Sequence, residues 1–213
     1  MKKKKILNII SNVYVVLGFL FITLSIIFIS IPIAPYILYR IKPDLTDTEI
    51  DNISRRVVEG SIVPKDIDES DNKIPDFDPS LPEDPYVLIP EIKVSSPIGQ
   101  SIDPEESLKD GTWMALDYGT PEDNSLPIIL AAHRFGYVYW DRETRNRVSF
   151  FNLPDTGIGD SVEIIWNQRK YKYVIYAVDE STYIKDYEAD LILYTCKYFN
   201  SPQRIFRYAN RVN

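Results

Sequence analysis

The chain has almost no cysteine or histidine, the residues that form disulfides and most often bind zinc. Its 213 residues include one cysteine, Cys196, and one histidine, His133. A single cysteine excludes an internal disulfide framework, and without carboxylates these two residues cannot supply the four ligands of a zinc site. The unpaired cysteine is therefore a buried apolar residue, an intermolecular link or a reactive thiol, and its surroundings must decide between these.

Glycine is also scarce, and acidic residues outnumber basic ones. The chain has 24 Lys and Arg against 31 Asp and Glu, which gives a formal net charge of -7. A surface that binds nucleic acid needs clustered Lys and Arg, so we predict no nucleic acid partner. Glycine occurs 8 times whereas tyrosine occurs 15 times. Together with many β-branched residues, this composition favours strands over a helical bundle.

The N-terminal part of the chain has the pattern of a membrane anchor. Four lysines, Lys2 to Lys5, precede an uncharged apolar run, of which Val13–Ile33 is long enough to cross the ~20-residue hydrocarbon core. A cleaved signal peptide has a shorter apolar region that ends in an A-x-A-like pattern, whereas this run ends at Ile33-Ala34-Pro35-Tyr36. We therefore expect residues 1–39 to form a cytoplasmic basic tip and an uncleaved transmembrane anchor, with the rest of the chain extracytoplasmic.

The remaining chain divides into a linker and a strand-rich domain. Residues 40–85 are rich in Asp, Glu, Pro and Ser, which predicts an extended acidic linker. Residues 86–213 contain short apolar or alternating runs between turn residues. The predicted strands are Tyr86–Ile89, Glu91–Val94, Ile128–Ala132, Ser161–Trp166, Arg169–Val178, Leu191–Thr195 and Arg204–Val212. Strands at this spacing, with no long helix between them, predict an all-β barrel or sandwich.

The two unique reactive side chains both follow predicted strands. His133 follows Ile128–Ala132, and Cys196 follows Leu191–Thr195. A residue at the end of a strand is held by a rigid sheet and can face an open surface, which is where catalytic side chains are often found. The sequence therefore indicates a site that combines a thiol with an imidazole.

Arg204 is the third candidate. If Leu191–Thr195 and the strand that begins at Arg204 are antiparallel neighbours, Arg204 returns close to Cys196. Amide transfer needs a nucleophile, a proton donor and a cation for the oxyanion, and Cys, His and Arg can fill these roles. The alternative is that the Cys and His are structural, and Arg207 and Arg211 are rivals to Arg204. The residue types and spacing alone favour neither interpretation.

Several segments in order around these residues resemble the motifs of the sortase family. Leu193-Tyr194-Thr195-Cys196 is similar to the family's TLxTC signature, although only Thr195-Cys196 matches strictly. The other matching segments are Ile89-Pro90-Glu91-Ile92, Ala131-Ala132-His133-Arg134 (with Ala132 in place of the common Gly), Phe151-Asn152-Leu153 through Gly159-Asp160, and Arg204 through Ala209. The resemblance spans about Tyr86 to Val212 and does not assign a class within the family.

The resemblance implies a closed eight-stranded β-barrel with short 3-10 or helical connections. It also implies a membrane-anchored cysteine transpeptidase that cleaves an LPxTG-like sorting motif through a thioester on Cys196. His133 would be the general acid and then base, Arg204 would stabilise the oxyanion or orient the substrate, and Thr195 and Ala132 are weaker candidates for shaping the substrate pocket. The implied partners are surface proteins that carry sorting signals and an amine acceptor, either a cell-wall precursor or a pilin-like lysine.

Two further features limit this interpretation. Some family members bind calcium through acidic residues upstream of the His, but Tyr118–Ser125 lacks that arrangement, so we predict no metal and no cofactor. Leu153-Pro154-Asp155-Thr156-Gly157 spells an LPxTG motif within the chain, but it leads into a predicted strand and is interpreted as a coincidence. Two alternatives stay open: a purely hydrolytic cysteine protease on the same fold, and a membrane-tethered barrel that binds partners and has a structural Cys and His.

Overall fold

The computed structural model describes residues 12–28, 73–137, 139–199 and 201–212. Residues 12–28 form helix α1, which contains no charged side chain. Within these described ranges, no helix combines the length and the apolar character needed to cross a membrane. Only residues 12–28 of the predicted anchor region are described, and most of the predicted linker lies outside the described residues, so the transmembrane segment stays a prediction.

Eight strands close into a barrel in the order β1-β2-β3-β4-β7-β8-β6-β5. The strands are β1 Tyr86–Ile89, β2 Val94–Gly99, β3 Thr112–Met114, β4 Ile128–Ala132, β5 Ser161–Trp166, β6 Arg169–Ser181, β7 Leu191–Cys196 and β8 Arg204–Val212. The short helices between them are α2 Pro104–Leu108, α3 Arg142–Val148, and the 3-10 helices Pro90–Ile92 and Leu153–Asp155. The prediction of a closed eight-stranded barrel with short helical connections is confirmed.

One predicted strand is wrong. The segment Glu91–Val94 does not form a strand, because Pro90 begins a 3-10 helix that ends at Ile92, and Lys93 then turns the chain with a φ of 59°. Proline at the first helical position fixes φ near the helical value and removes a backbone N–H that a strand would have paired. The true strand begins only at Val94.

The barrel wall separates two hydrophobic clusters, because side chains alternate between the faces of each strand. The interior cluster draws residues from all eight strands, with Leu130, Tyr173 and Leu193 among them. The outer cluster includes Tyr194 and Phe206 from β7 and β8, together with residues of the β6–β7 connection such as Ile184, Ala189 and Tyr187. The outer face of β7 and β8 is therefore partly covered by that connection.

The end of the predicted linker is attached to the barrel. The Asp78 backbone N–H donates to the Gln168 carbonyl at 2.9 Å. The Gln168 side chain donates in turn to the Pro79 and Leu81 carbonyls at 3.2 and 3.1 Å. Arg169 also donates to the Pro75 carbonyl. These contacts bind the segment before β1 to the β5–β6 turn.

Candidate active site

The β7–β8 ladder sets Cys196 opposite Arg204. Residues directly opposite each other in an antiparallel pair extend from the same face of the sheet. Tyr194 and Phe206, which lie two residues from Cys196 and Arg204 respectively, belong to the outer cluster. Cys196 and Arg204 therefore share the outer face of the barrel wall, where Cys196 is partly exposed and Arg204 is buried.

His133 and Cys196 leave neighbouring strands at the same edge. Strands β4 and β7 are parallel, and Ala131 is paired with Tyr194. Because the register of a parallel pair advances equally on both strands, His133 and Cys196 are each two residues past this pair and extend from the same face. The fold thus brings the unique thiol and the unique imidazole to one strand end, as the sequence predicts.

Two guanidinium groups influence the Cys196 thiol. Burial raises the pKa of Cys196, and the positive charges of Arg204 and Arg134 oppose that rise. Arg134 follows His133 directly and donates a hydrogen bond to the carbonyl of Lys197, which fixes it across the β4 and β7 strand ends. Sequence reasoning did not select Arg134, although its position next to the unique His could have suggested it.

The rival arginine Arg207 occupies a different environment. It is paired with Leu193 of the interior cluster and so extends from the opposite face to Cys196. Its Nε donates to the Thr156 carbonyl and hydroxyl at 3.1 and 2.8 Å, and its Nη2 donates to the Leu153 and Pro154 carbonyls at 3.0 Å each. Arg207 is thus committed to holding the loop before β5.

The same contacts account for the internal LPxTG-like sequence. Leu153-Pro154-Asp155 forms a 3-10 helix, and Leu153 is part of the interior cluster. Thr156 is buried and donates its hydroxyl to the Leu153 carbonyl at 2.8 Å. The buried Leu153 and Thr156 therefore fix this segment against the barrel as part of the loop before β5.

A buried carboxylate and a tyrosine lie beside His133. Its Nε2 is 3.1 Å from the Tyr137 hydroxyl, which donates a hydrogen bond to Glu105 Oε1. The second oxygen, Glu105 Oε2, is 3.9 Å from His133 Nε2. Tyr137 lies four residues after His133 on the β4–α3 connection. Glu105 is on α2, far from His133 in sequence, and sequence reasoning missed it.

The two weaker candidates lie on the interior side of the wall. Ala132 belongs to the interior cluster, and Thr195 alternates with the interior residue Leu193. The Thr195 hydroxyl donates to the Ala132 carbonyl at 2.8 Å and so joins β7 to β4. Their side chains do not share the face of Cys196, and any part in shaping a substrate pocket stays a prediction that would act through the backbone.

The Tyr118–Ser125 stretch forms a turn. Thr120 and Asp123 exchange backbone hydrogen bonds, and Asp123 Oδ1 accepts from the Ser125 N–H at 3.1 Å. Glu122 Oε1 accepts from Asn167 at 3.0 Å. Throughout the part of the chain that the structure describes, no three His, Cys, Asp or Glu side chains are grouped as metal ligands.

Comparison with known proteins is consistent with this geometry. The family model described as "Sortase domain" matches residues 87–212, which is more than half of the chain. Sortase C1 of Streptococcus agalactiae has a similar structure, with a TM-score of 0.50 and 18% identity over 78% of this chain and 90% of that one. At this identity the likeness shows the fold alone.

Two other solved structures are similar at lower scores. Sortase A from Corynebacterium diphtheriae has a TM-score of 0.49 and 17% identity over 83% of this chain and 88% of that one. The Clostridium perfringens Sortase D5 transpeptidase has a TM-score of 0.46 and 16% identity over 62% and 79%. The search of curated proteins finds no match.

Proposed function

The chain belongs to the sortase family and is a cysteine transpeptidase, and on that premise we propose that it cleaves an LPxTG-like sorting motif and transfers the acyl group to an amine. The observation that carries the proposal is the meeting of Cys196, His133 and Arg204 at adjacent strand ends. Cys196 is the proposed nucleophile, His133 the proton carrier and Arg204 the cation that faces the developing oxyanion.

In the first half-reaction, Cys196 gives its proton to His133, and its sulfur attacks the carbonyl carbon of the scissile amide. The carbonyl oxygen becomes negatively charged, and the Arg204 guanidinium, on the same face of the wall, stabilises it. When the C–N bond breaks, His133 returns the proton to the departing amine, and the acyl group is left as a thioester on Cys196.

In the second half-reaction, an incoming amine attacks the thioester carbonyl and His133 accepts a proton from its nitrogen. The C–S bond then breaks, a new amide is formed, and the proton returns to Cys196. The balance requires no metal or cofactor, because each half-reaction exchanges one nucleophile for another at the same carbonyl.

The proposed location is the outer side of the cell membrane. Lys2 to Lys5 precede a charge-free stretch that includes α1, and this arrangement supports an N-terminus in the cytoplasm. The barrel, outside the cell, would then meet surface proteins with sorting signals and an amine from a cell-wall precursor or a pilin-like lysine.

The test uses a fluorogenic LPxTG peptide with and without an added amine. We expect the full-length protein to form a peptide–amine conjugate, to carry a peptide acyl adduct on Cys196 by intact mass, and to lose both activities as Cys196→Ala. Cleavage at one rate whatever the amine concentration, with only hydrolysed product, would support the hydrolytic protease instead. No adduct and no cleavage would support the binding protein with a structural Cys and His.

A further inference from the structure

Glu105 is a carboxylate that folding removes from water. It is 5% exposed, and burying an ionised carboxylate is costly unless charge or hydrogen bonds compensate. One oxygen accepts from Tyr137. The other, Oε2, has no hydrogen-bond partner among the described residues and is 3.9 Å from His133 Nε2. The group that its free oxygen approaches is therefore the imidazole of the catalytic site.

The Tyr137 hydroxyl fixes the direction of the hydrogen bonds. It has one proton, which it donates to Glu105, so its oxygen must accept from His133 Nε2 at 3.1 Å. A neutral imidazole has one N–H, and the proton on Nε2 leaves the lone pair on Nδ1. Within the described part of the chain, Nδ1 has no hydrogen-bond partner. Nδ1 is thus the nitrogen that is free to accept the proton of Cys196.

The connection after β4 holds Tyr137 in this place. Gly136 has a φ of 69°, and a Cβ there would lie 2.4 Å from a ring carbon of Trp140. The Tyr137 ring packs edge-on against Trp140 and against His133, at centroid distances of 5.2 and 5.0 Å, and stacks on Tyr139 at 5.3 Å. These ring contacts restrict the Tyr137 side chain and point its hydroxyl between Glu105 and His133.

We propose that Glu105 and Tyr137 are positioning residues for His133. The carboxylate–phenol–imidazole chain keeps the neutral ring in the Nε2–H tautomer and orients it. When Nδ1 takes the proton from Cys196, the ring carries protons on both nitrogens, and the Glu105 charge stabilises this cation through Tyr137 and across 3.9 Å. The catalytic consequence rests on the proposed transpeptidase function, whereas the tautomer does not.

The first test reads the tautomer directly. His133 is the only histidine, so 15N-histidine labelling of the full-length protein in detergent gives a single imidazole in the long-range 1H–15N spectrum. We expect pyrrole-like Nε2 and pyridine-like Nδ1 shifts, and a move toward the tautomer mixture of free histidine in Tyr137→Phe. An Nδ1–H ring in the unmodified protein, or unchanged shifts in Tyr137→Phe, would overturn the proposal.

Glu106 offers a matched control on the same helix. It is the next residue after Glu105, but its exposed carboxylate accepts from the Ser101 hydroxyl at 2.5 Å and, among the described residues, makes no hydrogen bond or ion pair with His133. Glu106→Gln should leave the His133 shifts and the kinetics unchanged, while Glu105→Gln should alter both. Equal effects of the two substitutions would show that any loss of negative charge on this helix acts in the same way, and would overturn the assignment of Glu105 as a positioning residue for His133.

The second test measures acylation of Cys196 by a sorting peptide in a single turnover. We expect Glu105→Gln and Tyr137→Phe to slow acylation by about 10- to 100-fold with KM little changed. General acid–base catalysis raises a rate by ~10²–10⁴-fold, and a positioning residue supplies only part of that acceleration. Because the two residues act as one unit, the double variant should be little slower than either single variant. Unchanged acylation in both single variants, with the enzyme active, would refute the inference. If the unmodified protein does not accept the peptide while the tautomer responds as expected, the substrate proposal fails and the positioning inference stands.

Discussion

Two arginines of strand β8 extend from opposite faces of the barrel wall. They are buried to a similar extent but have different hydrogen-bond partners. Arg204 and Arg207 are 3% and 5% exposed. Arg207 faces the interior, where both its Nε and its Nη2 donate to the loop before β5. Arg204 faces the outer side opposite Cys196. Among the described residues its side chain makes two hydrogen bonds, both from Nη1 to carbonyls of the β7–β8 connection.

Burial therefore does not distinguish the two arginines. They differ in the face of β8 from which they extend and in how many of their N–H groups already donate to the protein. A guanidinium has five N–H donors in a fixed plane. At Arg207, backbone carbonyls accept hydrogen bonds from Nε, Nη1 and Nη2, so no edge of the guanidinium remains for a substrate. When only one nitrogen is occupied, as at Arg204, the other edge can meet an oxyanion beside the thiol. Three predictions test this contrast.

The largest effect is expected from Arg204. We expect Arg204→Met to lower kcat/KM for peptide transfer by about 100- to 1,000-fold, the usual cost of losing one oxyanion donor, while the midpoint of urea unfolding changes little. Arg204→Lys keeps a charge but loses the planar fork, so its loss should be intermediate. Transfer at the normal rate by Arg204→Met would contradict the assignment of the oxyanion cation to Arg204.

Arg207 should show the reverse behaviour. Arg207→Met leaves the carbonyls of Pro154 and Thr156 without their donor, whereas the Leu153 carbonyl keeps its bonds from Thr156. Each buried group that loses its partner costs about 1–3 kcal/mol. We expect the free energy of unfolding in urea to fall by about 3 kcal/mol, with activity per folded molecule nearly unchanged. If Arg207→Met instead removes activity from a protein of normal stability, the two arginines have been assigned to the wrong faces.

Much of the fold follows from sequence because the strands carry their own signals. Arg169–Val178 alternates in polarity, and turns at Gly159-Asp160 and Asn167-Gln168 bound its neighbour, so β5 and β6 were predicted closely. Strand β3 is only three residues long, which is too short to show a period. Helix α2 has only five residues, which is too few to show the helical periodicity of apolar residues. The family resemblance supplied the number of strands.

The sequence identifies candidate site residues at the ends of strands, but not how they are arranged around one another. Cys196 and His133 are unique in the chain, and each follows an apolar run. The choice of Arg204 over Arg207 depends on pairing register, which sequence leaves open because a shift of one residue exchanges the two faces. Glu105 could not be predicted, because a helix remote in sequence and the turn at Gly136 bring it to His133 by tertiary folding alone.

The smallest effect concerns the reactivity of the resting thiol toward iodoacetamide. Burial raises the pKa of Cys196, and Arg204 and Arg134 oppose the rise. Only the thiolate is alkylated, so a raised pKa means that less thiolate is present at a given pH. The rate constant should therefore keep rising above the pH at which an ordinary thiol levels off, near its pKa of about 8.5. Removal of a nearby cation raises the pKa further, so Arg204→Met should move the curve to higher pH.

Because Cys196 is the only cysteine, mass spectrometry can follow its alkylation from pH 6 to 10 without interference, with an unstructured peptide that contains one internal cysteine as the reference thiol. Arg204→Lys keeps the positive charge and should give a curve near that of the unmodified protein. The Arg207 guanidinium extends from the other face of β8, so Arg207→Met should leave the curve of rate constant against pH unchanged. If the rate constant of Cys196 levels off at a lower pH than that of the reference peptide, the cations outweigh burial at the thiol. Equal shifts from Arg204→Met and Arg207→Met would show that the face of the strand does not determine which arginine acts on Cys196.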